Sequence, residues 1–245
     1  MIKKFKVISF YTIIVFLTVS TLPTSVSAAC KINGKKKIED ICSKFQKSRW
    51  KTENLLGKGS FGTVFSVKDK KNEFENIALK KMKAKSNSLR AFSKEIQIGK
   101  CFNNHPQLLS IYECYYTTNS SKSIQDIYLI NEKMESSLTD IIFQNRLKRK
   151  QRSNYESWKV KAMIQMAKGL KEMHDMGMVH LDLKPDNIMV GYGNTHKNAE
   201  VKLVDFGLST NIREGQDLKG MVGTPYFMAP EITDNKGYGK PADIY

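Results

Sequence analysis

The order of apolar and polar positions predicts a strand-rich first part and a mainly helical second part beyond about residue 50. The predicted strands are residues 54–67 (two strands around a glycine turn), 77–81, 111–116, 127–131, 188–190 and 201–204. Two further segments, residues 88–101 and 158–176, repeat apolar side chains at helical spacing and are predicted to be helices. A β-rich half with one helix therefore precedes a mainly helical half.

The first thirty residues have a different pattern. Three lysines precede an uncharged stretch, residues 7–30, which is apolar in its first half, polar in its second half and rich in small residues at 27–29. This pattern is typical of a secretory signal peptide over residues 1–29, cleaved before Ala29 or before Cys30. An uncleaved membrane anchor is a second interpretation, because about 20 apolar residues span a bilayer. A leader without function is the third.

Charge and composition exclude some classes of protein. The chain is 40% hydrophobic and 26% charged, which is typical of a globular protein. Its net charge is +16, of which residues 1–48 carry +7. We find no basic–aromatic stripe and no zinc-finger, RNA-recognition or homeodomain signature. A solvated Lys-rich surface is the preferred interpretation, no nucleic-acid partner is expected, and residues 30–49 are interpreted as a short basic connector.

The four cysteines, Cys30, Cys42, Cys101 and Cys114, leave two interpretations open. In an oxidising compartment they can pair in three ways, whereas in a reducing one they remain isolated and mostly buried thiols. They have no CxxC spacing typical of a metal site. Asn119 begins an Asn-Ser-Ser sequence, which is a glycosylation acceptor only if the chain enters the secretory pathway.

A glycine-rich loop, residues 57–64, lies between the first two predicted strands with the sequence GKGSFGTV. Glycines let a backbone approach phosphates closely and turn its amides toward them. A dinucleotide-binding loop has a similar pattern, but it leads from a strand into a helix. Here a strand follows the loop, which argues against a dinucleotide site.

Lys80 and Glu95 are candidates for an ion pair. Lys80 ends an Ile-Ala-Leu-Lys sequence within the predicted strand 77–81, from which its ammonium can reach nucleotide phosphates, and Glu95 lies in the middle of the first predicted helix. A carboxylate there can pair with Lys80 and fix its position. An exposed strand lysine and a solvated helix glutamate are the alternatives. Because strand side chains alternate, Lys81 is expected to face outward.

Two later motifs each contain side chains that can act on a phosphoryl group or a metal ion. Residues 180–187 read HLDLKPDN, in which Asp182 can accept a hydroxyl proton, Lys184 can neutralise a phosphoryl group, and Asn187 can offer an oxygen to a metal ion. Asp205 begins an Asp-Phe-Gly sequence after a predicted strand, and its carboxylate suits Mg²⁺.

Taken in order, these motifs and the GTPYFMAPE sequence at residues 223–231 resemble the eukaryotic protein kinase catalytic domain. Lys184 and GTPYFMAPE resemble its serine/threonine branch. The resemblance covers about residues 50–245. It implies an α+β, two-lobed protein-kinase-like fold, with a β-rich N-lobe at about residues 50–134, a partial helical C-lobe at about residues 135–245, and ATP between them.

The resemblance also implies the roles of individual residues. Asp182, Lys184 and Asn187 are the implied catalytic residues, and Asn187 and Asp205 hold Mg²⁺. Glu132 to Met134 form the hinge that binds adenine, and Asn131 stands at the gatekeeper position. The implied ATP-binding residues are Leu56, Gly57, Lys58, Gly59, Ser60, Phe61, Gly62, Thr63, Val64, Ala78, Lys80, Glu95, Glu132, Met134 and Asp205.

The expected function is transfer of the γ-phosphate of ATP to Ser/Thr hydroxyls of protein substrates. The alternatives are a truncated nucleotide-binding pseudokinase or scaffold without turnover, and an exported effector kinase. We expect the chain in the secretory pathway or secreted if the leader functions, and in the cytoplasm otherwise. A membrane partner is expected only if the N-terminal segment stays uncleaved.

The chain departs from the family pattern in two places. Leu181 replaces the Arg that precedes the catalytic Asp in the family and pairs with a phosphate on the activation segment. Residues 211–223 contain no Ser, Thr or Tyr. We therefore expect activity that does not depend on phosphorylation there. The family's next long helix begins at residues 241–245, so we also expect a fragment or an incomplete sequence, or a product that folds poorly, with Glu231 lacking its Arg partner.

Overall fold

The structure, a computed structural model, covers most of the chain after the leader. It describes residues 32, 35–59, 62–85, 88–147, 152–192 and 199–245. The leader at residues 1–29, Cys30, and the loop residues Ser60 and Phe61 lie outside the described residues. Within those ranges, no helix combines the length and the apolar composition needed to cross a bilayer.

The strands and helices follow one another in the order that the hydrophobic pattern predicts, with additional short elements. The strands are β1 (Ser43–Lys44), β2 (Trp50–Gly59), β3 (Gly62–Asp69), β4 (Ile77–Lys83), β5 (Ile111–Thr118), β6 (Ile124–Glu132), β7 (Ser136–Ser137), β8 (Met178–Val179), β9 (Ile188–Tyr192), β10 (Ala199–Leu203) and β11 (Thr210–Asn211). The helices are α1 (Ile38–Ile41), α2 (Leu89–Cys101), α3 (Leu138–Leu147), α4 (Arg152–Asp175) and α5 (Pro230–Thr233), and 3₁₀ turns span Pro185–Asn187, Pro225–Phe227 and Lys240–Asp243.

A six-stranded sheet in the order β1-β5-β6-β4-β3-β2 forms the β-rich part. The pair β1–β5 is parallel and the other neighbours are antiparallel. Strand β4 lies between β3 and β6, where Lys80 is opposite Val64 on one side and Leu129 on the other. Because side chains alternate along a strand, Lys80 and Lys81 leave the sheet on opposite faces. Lys81 pairs with Asp126 at 3.3 Å.

The alternation along β6 separates two apolar clusters, one on each face of the sheet. Ile127 and Leu129 belong to the cluster that packs against α2, whereas Tyr128 and Ile130 belong to the cluster around Trp50. The helix α2 contributes Ile96 and other apolar side chains to the first cluster at its helical spacing. Burial of these side chains fixes the helix against the sheet.

Arg49 joins three elements of the β-rich part. Its Nε and Nη2 donate to the two carboxylate oxygens of Asp69 at 3.0 and 2.9 Å, and it also pairs with Glu73 and Glu113. The guanidinium stacks on the ring of Trp50, with 4.4 Å from its carbon to the ring centroid. The side chain of Asp69 is fully buried. Arg49 therefore neutralises a carboxylate that has no access to water.

The segment before β2, interpreted above as a basic connector, is packed onto the sheet over residues 35–49. It forms α1 and then β1, which adds a parallel strand beside β5. A disulfide joins Cys42 to Cys114 in β5, so one of the three pairings left open includes this bond. Cys101 is also disulfide-bonded, and its partner lies outside the described residues. The alternative of isolated thiols is thus wrong for Cys42, Cys101 and Cys114.

The helical part is built around a core that α4 shares with the strands β8, β9 and β10. Leu170 and Met173 of α4 pack with Val190 and Leu203 from the β9–β10 hairpin. Phe102, directly after α2, belongs to the same core. The core therefore links the helix that packs on the sheet to the helical part. The expectation of an α+β fold with a β-rich and a helical lobe is confirmed.

Candidate active site

A cavity of about 360 Å³ lies between the sheet and the helical part. Residues from both parts line it: Leu56, Gly57, Val64, Ala78, Lys80, Glu95, Asn131, Glu132, Met134, Asn187, Met189 and Asp205. Its walls are mostly apolar, Lys80, Glu95 and Asp205 form one charged group in it, and the carboxylates Glu132, Glu135 and Asp140 also line it. A flat apolar ring with a charged tail fits such a cleft. A second cavity continues under the glycine loop and is lined by Lys58, Gly59, Gly62, Thr63, Asp182 and Asp205, among others.

The glycines of the loop have different structural roles. Gly62 has a φ of +128°, and a Cβ on it would lie 2.3 Å from the carbonyl oxygen of Lys81, so only glycine fits this turn. A Cβ on Gly57 or Gly59 would meet nothing within 4 Å. These two glycines thus leave space where their backbone faces the cleft. Ser60 and Phe61, at the tip of the loop, lie outside the described residues.

Lys80 and Glu95 form a buried ion pair, with 2.7 Å between Nζ and Oε1. The side chains are only 14% and 7% exposed. Burial alone would lower the pKa of Lys80, but the negative charges of Glu95 and Asp205 outweigh it, so the pKa is raised. The Lys80 amine is therefore protonated and held beside Glu95 and Asp205 in the cleft. It is a fixed positive charge for an anionic ligand.

Asp182 is the centre of a hydrogen-bonded group. Its Oδ2 accepts from Lys184 Nζ at 2.8 Å and from Asn187 Nδ2 at 2.9 Å, and its Oδ1 accepts from the Thr224 hydroxyl at 2.6 Å. Burial opposes ionisation of Asp182, but the hydrogen bonds from Lys184 and Thr224 outweigh burial and lower its pKa. The carboxylate is thus ionised and oriented, as a proton acceptor needs to be.

The loop that carries Asp182 has a strained backbone. Leu181 has a φ of +67°, which is unusual for a residue with a branched side chain. Asp243 holds this conformation because its two carboxylate oxygens accept from the backbone N–H groups of His180 and Leu181, both at 2.7 Å. The ring of His180 is fully buried and its Nε2 lies 3.1 Å from the Val204 carbonyl oxygen. Asp243 and His180 therefore position the loop without facing the cleft.

Asp205 and Asn187 are the residues that could hold a metal ion. Asp205 lines both cavities and has a φ of +64°. Phe206 next to it is buried against the ring of His180. The nitrogen of the Asn187 amide faces Asp182, so its oxygen points away from that carboxylate. Carboxylate and amide oxygens suit Mg²⁺. The described residues contain no group of three or more His, Cys, Asp or Glu that could hold a metal ion.

The segment between the sheet and the helical part, residues 131–134, contributes some side chains to the cleft and binds the carboxylate of Glu132 elsewhere. The carboxylate of Glu132 pairs with Lys202 at 2.9 Å and accepts from the Ser110 N–H at 2.8 Å. Met134 lines the cavity. Asn131 is 7% exposed and also lines the cavity, and its Oδ1 is buried with no hydrogen-bond partner. Among the described residues that line the cleft, Asn131 therefore has a buried oxygen whose hydrogen bond is not made.

Three contacts of the site were not found by sequence reasoning. The hydroxyl of Thr224 bridges Asp182 and Lys184, although Thr224 lies about 40 positions after them in the chain. Lys202 fixes Glu132 across 70 positions. No local sequence pattern indicates either set of contacts. Lys202, for example, has the pattern of an ordinary strand lysine. In the N-terminal segment, the spacing of apolar residues within 35–44 was a local signal for packing.

Comparison with known proteins agrees with this geometry. The sequence model of a family described as the protein kinase domain matches residues 50–245. The chain is 31% identical over 216 residues to the probable serine/threonine-protein kinase mkcB of Dictyostelium discoideum, covering 87% of this chain and 27% of that protein. It is 31% identical over 190 residues to calcium-dependent protein kinase 5 of Plasmodium berghei, covering 78% and 31% respectively.

A third relative is the serine/threonine-protein kinase max-2 of Caenorhabditis elegans, which is 30% identical over 200 residues, covering 80% of this chain and 28% of that protein. In each case the similarity includes most of the present chain. The chain spans about a quarter to a third of the length of these curated relatives.

Proposed function

Since this chain belongs to the protein kinase domain family, we propose that it transfers the γ-phosphoryl group of ATP to serine and threonine hydroxyls of protein substrates. The family uses ATP and Mg²⁺ in general. The cleft between the sheet and the helical part is the proposed ATP site. Its apolar walls suit adenine, and the buried Lys80 ammonium suits the phosphates.

In the proposed complex the glycine loop and Lys80 bind the phosphates. Glu95 keeps the Lys80 ammonium in one place, so that the phosphates meet a charge that is already oriented. Asp205 and Asn187 would hold Mg²⁺, which neutralises phosphate charge when it is bound. Their oxygens have the chemistry that this ion prefers. The remaining work of the site is positioning and proton transfer by the residues of the chain.

Asp182 orients the attacking hydroxyl and accepts its proton as the oxygen–phosphorus bond forms. Its lowered pKa keeps it ionised, and the hydrogen bonds from Asn187 and Thr224 fix the direction of its oxygens. Lys184, 2.8 Å from Asp182, lies where its ammonium can neutralise charge that develops on the transferring phosphoryl group. The leaving group is ADP.

The hydrogen-bonded group around Asp182 is the observation that carries this proposal. A nucleotide-binding protein without turnover has no need of an ionised, oriented carboxylate beside a lysine. The test is an assay of the purified chain with Mg-ATP labelled at the γ-phosphate and a generic Ser/Thr protein substrate, followed by phosphoamino-acid analysis. Label on Ser and Thr supports the proposal. Nucleotide binding without any transfer would favour a pseudokinase or scaffold instead.

We also propose that this activity does not depend on phosphorylation of the activation segment, residues 205–231. Leu181 is buried in an apolar cluster with Ile212, Ala229 and Tyr238, so hydrophobic contacts hold the segment against the loop that carries Asp182. Gly223 packs so closely that a Cβ on it would lie 2.7 Å from the Leu181 carbonyl oxygen. Apolar packing thus takes the place of an Arg–phosphate contact.

Treatment with a broad-specificity phosphatase is therefore expected to change the transfer rate by less than about twofold, because no phosphate contributes to the order of the segment. Ser209 is fully buried and donates to the His180 carbonyl oxygen, so its hydroxyl is inaccessible. The rate is measured before and after phosphatase treatment, with the phosphatase removed, alongside phosphosite mapping. A large loss of activity together with a modified residue in 205–231 would contradict the proposal.

We propose, third, that the chain enters the secretory pathway. The signal-like leader is one argument, and the Cys42–Cys114 disulfide is a second, since such bonds persist in oxidising compartments. Asn119 lies exposed in the turn between β5 and β6, where a glycan has room. Entry into this pathway would favour the alternative of an exported effector kinase over a cytoplasmic enzyme.

The full chain expressed in a eukaryotic secretory cell is expected to lose mass on treatment with an N-glycosidase, because Asn119 lies in an acceptor sequence. Asn119→Gln is expected to abolish this shift, whereas Ser121→Thr keeps the acceptor sequence and is expected to retain it. Gel mobility and the N-terminal sequence of the product are measured. An unglycosylated chain with an intact leader and alkylatable Cys42 would contradict entry into the pathway.

A further inference from the structure

We infer that residues 35–44, here called the strap, are a positioning element for the Lys80–Glu95 pair, because they tie helix α2 to the sheet on the side away from the cleft. The inference rests on the proposed function only in taking this pair to be part of the nucleotide site. Neither the family match, which begins at residue 50, nor the catalytic motifs include the strap.

The strap packs against the same helix that carries Glu95. Ile38, in the short helix α1, is 2% exposed and belongs to one apolar cluster with Ile96, the residue after Glu95 in α2. Ile127 and Leu129 of strand β6 complete the contact from the sheet. The side chain of Ile38 therefore fills the space between α2 and the sheet. Any tilt of the helix away from the sheet would open this buried space.

Two hydrogen bonds attach the strap to α2 on either side of Glu95. The Ser93 hydroxyl, in a residue only 1% exposed, donates to the Lys36 carbonyl oxygen at 2.7 Å. Further along the helix, the Lys100 ammonium donates to the Ile41 carbonyl oxygen at 3.1 Å. Because one bond precedes Glu95 and the other follows it, a shift of the segment of helix that carries the carboxylate would strain these attachments.

The other side of the strap is fixed to the sheet. The Cys42–Cys114 disulfide is a covalent link to β5, and directly after it β1 pairs in parallel with the same strand, Ser43 opposite Tyr115. The strap thus connects strand β5, whose position in the sheet is fixed, to helix α2, which packs on the sheet through apolar side chains. Its attachment restricts the position of Glu95 and hence that of the Lys80 ammonium, 2.7 Å away.

The inference is tested on the full chain with Ser93→Ala and with the double variant Cys42→Ser/Cys114→Ser. Ser43→Ala is the matched control, since Ser43 is exposed in β1 and the substitution is the same as at Ser93. Two readouts need no turnover. One is the Kd for Mg-ATP, and the other is hydrogen exchange of the backbone amides of α2.

If the strap positions Glu95, the arrangement in which Glu95 holds the Lys80 ammonium and ATP can bind is less populated in each test variant. A tenfold smaller population raises the apparent Kd about tenfold. Exchange in α2 is expected to accelerate, because the displaced arrangement from which its amides exchange is more populated, while amides of β3 and β4 keep the exchange rates of the unmodified chain. Ser43→Ala is expected to change neither readout.

Unchanged Kd and unchanged α2 exchange in Ser93→Ala would overturn the inference, and so would acceleration spread evenly over the whole sheet, which indicates a general loss of stability. Should the double cysteine variant fail to fold, Ser93→Ala alone decides. Absence of phosphoryl transfer in the unmodified chain would count against the proposed function and not against the inference, because binding and exchange are read without turnover.

Discussion

Replacing Asp182 with Asn is expected to lower kcat by about 10²–10⁴-fold, which is the usual contribution of a positioned proton acceptor. The amide keeps the size of the carboxylate and can still accept from Lys184 or Thr224, so the cavity keeps its shape. It cannot take the proton of the attacking hydroxyl. Since Asp182 does not line the main cavity, the KM for ATP is expected to change by less than about threefold.

The measurement is steady-state phosphoryl transfer at saturating Mg-ATP, with a thermal melt of each variant to show that it is folded. Asp234→Asn is the control, because it makes the same chemical change at an exposed carboxylate of the helical part. A variant that is folded, binds ATP normally and retains more than about a tenth of the activity would show that Asp182 is not the proton acceptor.

Replacing Arg49 with Ala is expected to have the largest effect on stability. The fully buried Asp69 side chain would lose both of the hydrogen bonds that Arg49 donates to it. Removing one partner of a buried pair leaves an uncompensated charge and costs about 3–5 kcal/mol. For a chain of this size that loss lowers Tm by roughly 10 °C or more. Lys51→Ala, an exposed neighbour on β2, is expected to leave Tm unchanged.

If the loss of stability in Arg49→Ala comes from Asp69, it is expected to depend on pH. The hydrogen bonds from Arg49 outweigh burial and lower the pKa of Asp69 to about 2, against about 3.9 in the unfolded chain. Because the folded pKa is the lower one, this stabilisation is complete above about pH 5 and is lost as the pH falls toward 2. It amounts to about 2.6 kcal/mol.

Urea unfolding from pH 6 to pH 3 provides the check. The difference in unfolding free energy between the unmodified chain and Arg49→Ala is expected to shrink as the pH falls, since protonated Asp69 no longer needs the guanidinium. A difference that stays constant over this range would mean that Arg49 stabilises the sheet by stacking on Trp50, and not through Asp69.

Local sequence was sufficient for most of the architecture. The strands β3, β4, β5 and β6 and the helix α2 all begin or end within a few residues of their predicted bounds, because each has a strong period of its own. The motifs likewise selected Asp182, Lys184 and Asn187, which the structure brings into one hydrogen-bonded group. These residues lie close together in the chain, so a motif of eight positions contains them all.

The rest depends on contacts between distant parts of the chain. Residues 30–49 are rich in lysine and were interpreted as a basic connector, yet Ile38, Ile41 and Cys42 have the spacing of one helix face. That spacing was a signal for packing, but nothing local indicates that the partner is α2. The pairing of Cys42 with Cys114 is of the same kind, since four cysteines permit three pairings.

Asn131 has a consequence for inhibitor selectivity. Its buried Oδ1 has no hydrogen-bond partner at the inner end of the cleft, and leaving such a group unpaired costs about 1–3 kcal/mol. Asn131 lines the cavity although this oxygen itself is buried. A small molecule that turns the amide toward the cavity and donates an N–H or O–H group to the oxygen recovers that free energy, and the same molecule gains nothing where an aliphatic side chain occupies the position. Compounds built on this difference are expected to discriminate by roughly ten- to a hundredfold in affinity.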